Sequence, residues 1–147
     1  YVKVVVRPQR KGGPASTVFA EASNNSDLIP VFSGCGALLV AMVRQAPADA
    51  RAFHPYGLSD PEGFAAMGIV ETVVHLNDVT QALDLDWFPP EYLCRRVLFR
   101  LFPELDEKND PWQTLLWATG RESVSGRTRR KKWRWDARPA VDRTSSA

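Results

Sequence analysis

The apolar positions change period several times along the chain, and each change marks an element. Val2, Val4 and Val6 alternate with Lys3, Val5 and Arg7 up to Pro8, the pattern of a half-buried strand, and KGGP then reads as a loop. Ser26 and Asp27 offer capping oxygens ahead of LIPVFSGCGALLVAMVRQA. Pro30, Gly34 and Gly36 weaken the first half of that run, so the helix is expected over Ala37 to Ala46, closed by Pro47. Asp60, followed by Pro61 and Glu62, is the best-punctuated start in the sequence and predicts a long helix to about Leu85. Pro90 and Glu91 open another, with Leu93, Val97, Leu98 and Leu101 as its apolar stripe and Arg95, Arg96 and Arg100 facing outward. Asp110 and Pro111 begin a third, WQTLLWAT, that stops at Gly120. In WRWD, Trp133 and Trp135 alternate with Arg134 as in a strand, which is expected to pair with the N-terminal one.

These elements predict a mainly α fold, a partial helical bundle with short β-strands at its two ends. At 147 residues, 44% hydrophobic and 24% charged, the chain suits one globular domain, expected over 1–136, with 137–147 as a disordered tail. An opening on Tyr1 rather than Met, in a strand that runs straight into a loop, leads to the expectation that an N-terminal piece precedes it. Cys35 and Cys94 lie far apart in apolar helical stretches. They predict two buried free thiols and exclude a disulfide framework or a paired-cysteine zinc knuckle. No apolar run reaches the roughly 18 residues of a membrane span and no signal peptide opens the chain, so the expected location is cytoplasmic with no membrane contact.

The long helix carries the candidate chemistry. At about 100° per residue, Met67, Val74, Val79, Leu76 and Leu83 form a broad apolar arc, and Glu71, His75 and Asp78 fall near its middle, on the side expected to be buried. Their spacings keep them on adjacent turns of one face. Unpaired buried carboxylates are costly, so something positive should meet them, and a divalent metal is the economical candidate. Glu71 and His75 supply an oxygen and a nitrogen one turn apart as ligands, and Asp78 is a third ligand or orients the His75 ring through its other nitrogen. The alternative is a structural network, in which Glu71 or Asp78 pairs with an arginine from elsewhere and His75 is a satisfied core histidine. His54, in the turn-like FHPYG, lies before the helix, with Glu71 about 16 Å further along the axis. That makes it at most a pocket-rim residue.

The net charge of +2 hides a split: residues 121–147 hold nine Lys/Arg against three acids, and residues 1–120 ten against fourteen. The run RTRRKKWRW suggests phosphate pairing and base stacking. Nothing in the body adds to that, and the favoured reading has the tryptophans covering a core with the cations solvated or folded back on an acidic body.

HPYGLSDPEGFAAMGIVETVVHLNDVTQALDL, then WFPPEYLCRRVLFRLFP, DPWQTLLWATGR and SGRTRRKKWRWD, together resemble the maleylpyruvate isomerase N-terminal-domain family of DinB-like bundles. The likeness extends from about Ala37 to Asp136. It implies a four-helix bundle holding a divalent metal, zinc foremost, with the family's E-x-x-x-H pair on Glu71 and His75 and its supporting acid on Asp78. The family's earlier histidine has no counterpart here, since the region that should carry it would precede Tyr1. The resemblance also implies mycothiol-dependent chemistry: isomerase or S-transferase activity in which metal-bound thiolate attacks a small electrophile. A non-catalytic DinB-like domain without metal is the alternative.

Overall fold

In the computed structural model the described residues are 4–6, 17–19, 25–105, 109–124 and 126–143. They are mainly helical with short antiparallel strands, as expected. The chain groups into two compact units, residues 1–42 and 43–147. In the first, β1 (Val4–Val6) pairs antiparallel with β2 (Thr17–Phe19), Val5 opposite Val18. The partner expected for the N-terminal strand was WRWD. A hairpin partner thirteen residues away closes a far shorter loop.

Helix α1 covers Asn25–Gln45 and starts well before Ala37. Pro30 near its beginning removes one hydrogen bond without ending it. Gly34 and Gly36 lower helix propensity but lie in a run with no charge from Leu28 to Val43. Its Leu28–Gln45 window has a mean hydropathy of 1.6, so by length and composition it is apolar enough to cross a membrane, a test that core helices of globular proteins also pass. The expectation that no stretch reaches that length is corrected. Cys35, on this helix, is exposed rather than buried.

The second unit opens with the hairpin of β3 (Ala52–His54) and β4 (Gly57–Ser59), Phe53 opposite Leu58. Asp60 then caps α2 (Pro61–Ala82) by accepting from the Gly63 N–H at 2.8 Å. Helix α3 (Glu91–Leu101) packs on α2, and α4 (Pro111–Ala118), capped by Asp110 on the Gln113 N–H, packs on α3. Val70, Val97, Leu101 and Leu115 meet in the fully buried centre. Gly120 ends α4 with a φ of +69°, a left-handed residue that glycine accommodates without strain.

Arg100, expected on the solvent side of α3, is 5% exposed. Its Nη2 donates to Asp60 Oδ1 at 2.6 Å and to the Ala137 carbonyl at 3.1 Å, and Nη1 donates to the Arg138 carbonyl. Ser59 Oγ donates to the same Ala137 carbonyl at 2.7 Å. Residues 137–143, expected to be loose, are therefore part of the packed unit: Ala137 is fully buried and Ala140–Arg143 form the short α5. Trp133 to Trp135 form no strand. Trp135 is nonetheless buried, and the neighbouring Asp136 N–H donates to the Leu101 carbonyl at 2.8 Å. The basic segment folds back as well, with Arg127 and Arg130 each 5.0 Å from the centre of the Trp117 ring.

Gly63 sits against this network, since a Cβ there would run into Ser59 Oγ and Arg100 Nη2. Gly63→Ala, which forces a methyl into the space of Ser59 Oγ and Arg100 Nη2, and Arg100→Met, which leaves the Asp60 carboxylate without its partner, are each expected to destabilise the chain by roughly 3 kcal/mol in urea unfolding. Partial burial pushes the Asp60 carboxyl up, but the Arg100 hydrogen bond, the Gly63 N–H and the Arg100 charge together hold it below its ordinary 3.8. A carboxyl depressed in the folded state adds stability above its unfolded pKa and loses it as pH falls through the folded one. Stability should therefore drop below the ordinary carboxylate range, and this acid-sensitive part should shrink in Asp60→Asn. Burial raises the Cys94 thiol to about 11, so a thiol reagent should label Cys35 in the native chain and Cys94 only after unfolding.

Candidate metal centre

The buried face of α2 consists of Gly63, Ala66, Met67, Val70, Val73, Val74, Asn77 and Thr80. Glu71, His75 and Asp78 lie on the other side, with side chains 51%, 65% and 44% exposed. This corrects the expectation of a buried face. The physical reason is that α2 is apolar nearly all round: Leu76, Val79 and Leu83, counted in its apolar arc, are themselves exposed. The centre of so broad an arc does not locate the side that takes α3.

The three side chains do converge. His75 Nε2 is 3.1 Å from Glu71 Oε2, and His75 Nδ1 is 3.2 Å from Asp78 Oδ2. Asp78 is itself gripped by Arg121, which donates from Nε to Oδ1 at 2.8 Å and from Nη2 to Oδ2 at 2.7 Å. Arg121 is anchored in turn, its Nη1 donating to the Thr119 carbonyl at the end of α4. A bidentate arginine fixes the carboxylate plane, and the carboxylate fixes the ring. With Nδ1–H donating to Asp78, the free lone pair of a neutral His75 is on Nε2, beside Glu71.

The 3.1 Å between Nε2 and Oε2 is the distance of a hydrogen-bonded His–Glu pair. It is also compatible with two corners of a divalent-ion site, since metal–ligand bonds of about 2.0–2.1 Å place adjacent nitrogen and oxygen ligands about 2.9 Å apart at octahedral angles and about 3.4 Å apart at tetrahedral ones. Among the described residues no group of three or more His, Cys, Asp or Glu is arranged to hold a metal ion, and Asp78 is turned toward Arg121.

His54 ends β3 and is half-buried, packed against Tyr56 and Trp135 at 5.3 and 5.7 Å between ring centres. Its Nδ1 accepts the Tyr56 N–H at 3.1 Å, which puts the proton of a neutral ring on Nε2 and leaves no lone pair for a metal. Burial lowers its pKa from 6.5 while the Glu71 carboxylate raises it. It is thus within the electrostatic reach of Glu71, because the hairpin folds back instead of extending along the helix axis.

The alternative reading expected an arginine on Glu71 or Asp78 without naming it, and the structure supplies Arg121 on Asp78. Its position straight after the Gly120 stop was legible, but its partner lies 43 residues away. No protein-family model matches the chain, and no curated protein or solved structure matches it.

The Arg121 hydrogen bonds hold the Asp78 carboxyl below 3.8 against the opposing effect of partial burial. In an NMR titration Asp78 should have its midpoint below that value, and in Arg121→Met it should move back up. The stabilisation from the pair should be present above the ordinary carboxylate pKa and fade as pH falls through the depressed one.

Proposed function

We propose that this chain is the divalent-metal-binding domain of a mycothiol-dependent isomerase or S-transferase-like protein, with Glu71 and His75 as ligands and zinc as the ion. The observation that carries the reading is the approach of Glu71 Oε2 and His75 Nε2 to 3.1 Å on the open side of α2. The likeness to the maleylpyruvate isomerase N-terminal-domain family supports it, since the family's ligand pair falls on these two residues.

A bound divalent ion would supply the positive charge that takes the proton off a small thiol and leaves a nucleophilic thiolate. The residues of this chain have narrower tasks. Glu71 and His75 would hold the ion with one anionic and one neutral donor, which would keep net positive charge at the site. Asp78 holds the His75 ring in the tautomer that can ligate, and Arg121 keeps Asp78 ionised and in plane. The exposure of both ligands leaves room for a thiol and a small electrophile to approach. Cys94 is a poorer source of the sulfur, for it is buried with its thiol raised to about 11.

A second reading, a structural domain that binds no metal, is favoured by the Asp78–Arg121 pair, which neutralises one of the carboxylates without an ion. Titration with zinc followed by calorimetry separates the two. The metal reading expects about one ion per chain, loss of binding in His75→Ala and Glu71→Gln, and a roughly 10- to 100-fold weakening in Asp78→Asn. Because protons compete for the same donors, affinity should fall as pH is lowered. No zinc uptake at neutral pH, or uptake unchanged by His75→Ala, would establish the structural reading.

A further inference from the structure

A cleft of about 720 Å³ lies on the second unit between the β3–β4 turn and the segment following α4. That volume is in the range of small-molecule sites. Its walls combine two chemistries. One is aromatic: Tyr56 stands edge-on to Trp135 with 5.6 Å between ring centres, and Trp133 leans on Trp135 at 5.8 Å. The other is cationic: Lys132 and Arg134 line the cleft, and neither has an acidic partner among the described residues. The two acids in the lining are engaged, Asp136 by Arg138 and Arg143, and Glu104 by Arg130 at 3.8 Å.

One buried donor on a cleft-lining residue has no partner at all: Trp135 Nε1 makes no hydrogen bond among the described residues, whereas Arg130 Nη1, also without a hydrogen bond, is ion-paired with Glu104. Buried donors are nearly always satisfied, so the Trp135 indole N–H marks a place where an acceptor belongs. Trp135 is 7% exposed and Ala137 beside it is fully buried, so the wall is held by the core.

We propose that this cleft binds a small planar aromatic carboxylate, its ring against Trp133 and Tyr56 and its carboxylate held by Lys132 and Arg134. A nucleic acid strand is disfavoured because Arg130 and Arg138 are committed to Glu104 and Asp136, which leaves Lys132 and Arg134 as the lining cations without an acidic partner among the described residues. The tryptophans also lean on each other instead of standing apart as successive stacking platforms. A single ring with a single anionic group matches both the volume and the two free cations. This site shares no ligand with the Glu71–His75 pair and does not depend on metal binding.

The test uses the full chain, with naphthoate as probe, the neutral naphthamide as its uncharged counterpart, and a single-stranded oligothymidylate. Binding is followed by tryptophan fluorescence and calorimetry. Naphthoate should bind saturably and at least about tenfold more tightly than naphthamide, and the Lys132→Gln/Arg134→Gln variant should lose about tenfold. Both cations are exposed, so that variant should melt like the parent chain. Trp133→Leu should weaken naphthoate and naphthamide alike. Equal affinity for the two probes, no saturation, or an unchanged double variant would overturn the proposal. Tighter binding of the oligothymidylate with steep salt dependence would replace it with a nucleic-acid surface.

Discussion

The buried pair of Arg100 and Asp60 is the constraint on which the second unit depends. Asp60 is at once the cap of α2 and the counter-ion of an arginine projecting from α3, while the same guanidinium takes the carbonyls of Ala137 and Arg138. One charge thus fixes where α2 starts, how α3 lies against it and where the chain returns after α4. A buried ion pair adds little to stability compared with a well-packed apolar equivalent, but losing one partner is costly. Its effect is to make other arrangements of these elements expensive, which is how a short unit keeps a single register. Gly63 belongs to this constraint because its missing side chain leaves the space in which Asp60 and Arg100 meet.

With one face committed to α3, α2 turns its other face outward. That second face is chemically mixed, with Glu71, His75 and Asp78 set among exposed Leu76, Val79 and Leu83. Placement on one helix gives Glu71 and His75 their 3.1 Å approach without a loop having to close. Support comes from a second element: the stop of α4 at Gly120 delivers Arg121 to Asp78, so the orientation of the His75 ring depends on how α4 is packed. The site and the core are linked through that arginine.

The basic C-terminal segment shows a related economy. Its tryptophans are recruited to the core and its arginines to ring faces and carboxylates of the body, so most of its charge is spent on folding back. Lys132 and Arg134 remain without acidic partners beside the aromatic wall. The cleft lies where the half-buried Trp133 and buried Trp135 adjoin the exposed Lys132 and Arg134, although no strand forms there.

Helix starts were legible in the sequence because capping is local. Asp60 with Pro61, Pro90 with Glu91, and Asp110 with Pro111 and the Gly120 stop each involve residues within one turn, and the structure has all three helices where these signals put them. The convergence of Glu71, His75 and Asp78 was legible for the same reason, since spacings of four and three on a helix put side chains together wherever that helix lies. What the sequence could not decide was direction. A helix apolar on most of its circumference does not state which side will be covered. An arginine in an otherwise outward-facing series does not announce that a carboxylate 40 residues earlier and two carbonyls 37 and 38 residues later will enclose it. The burial of Arg100, the grip of Arg121 on Asp78, the nearness of His54 to Glu71 and the packing of residues 137–143 all rest on contacts between segments remote in sequence. Local chemistry determined which side chains stand together on each element. Only tertiary packing decided which of them face water and which find a distant partner.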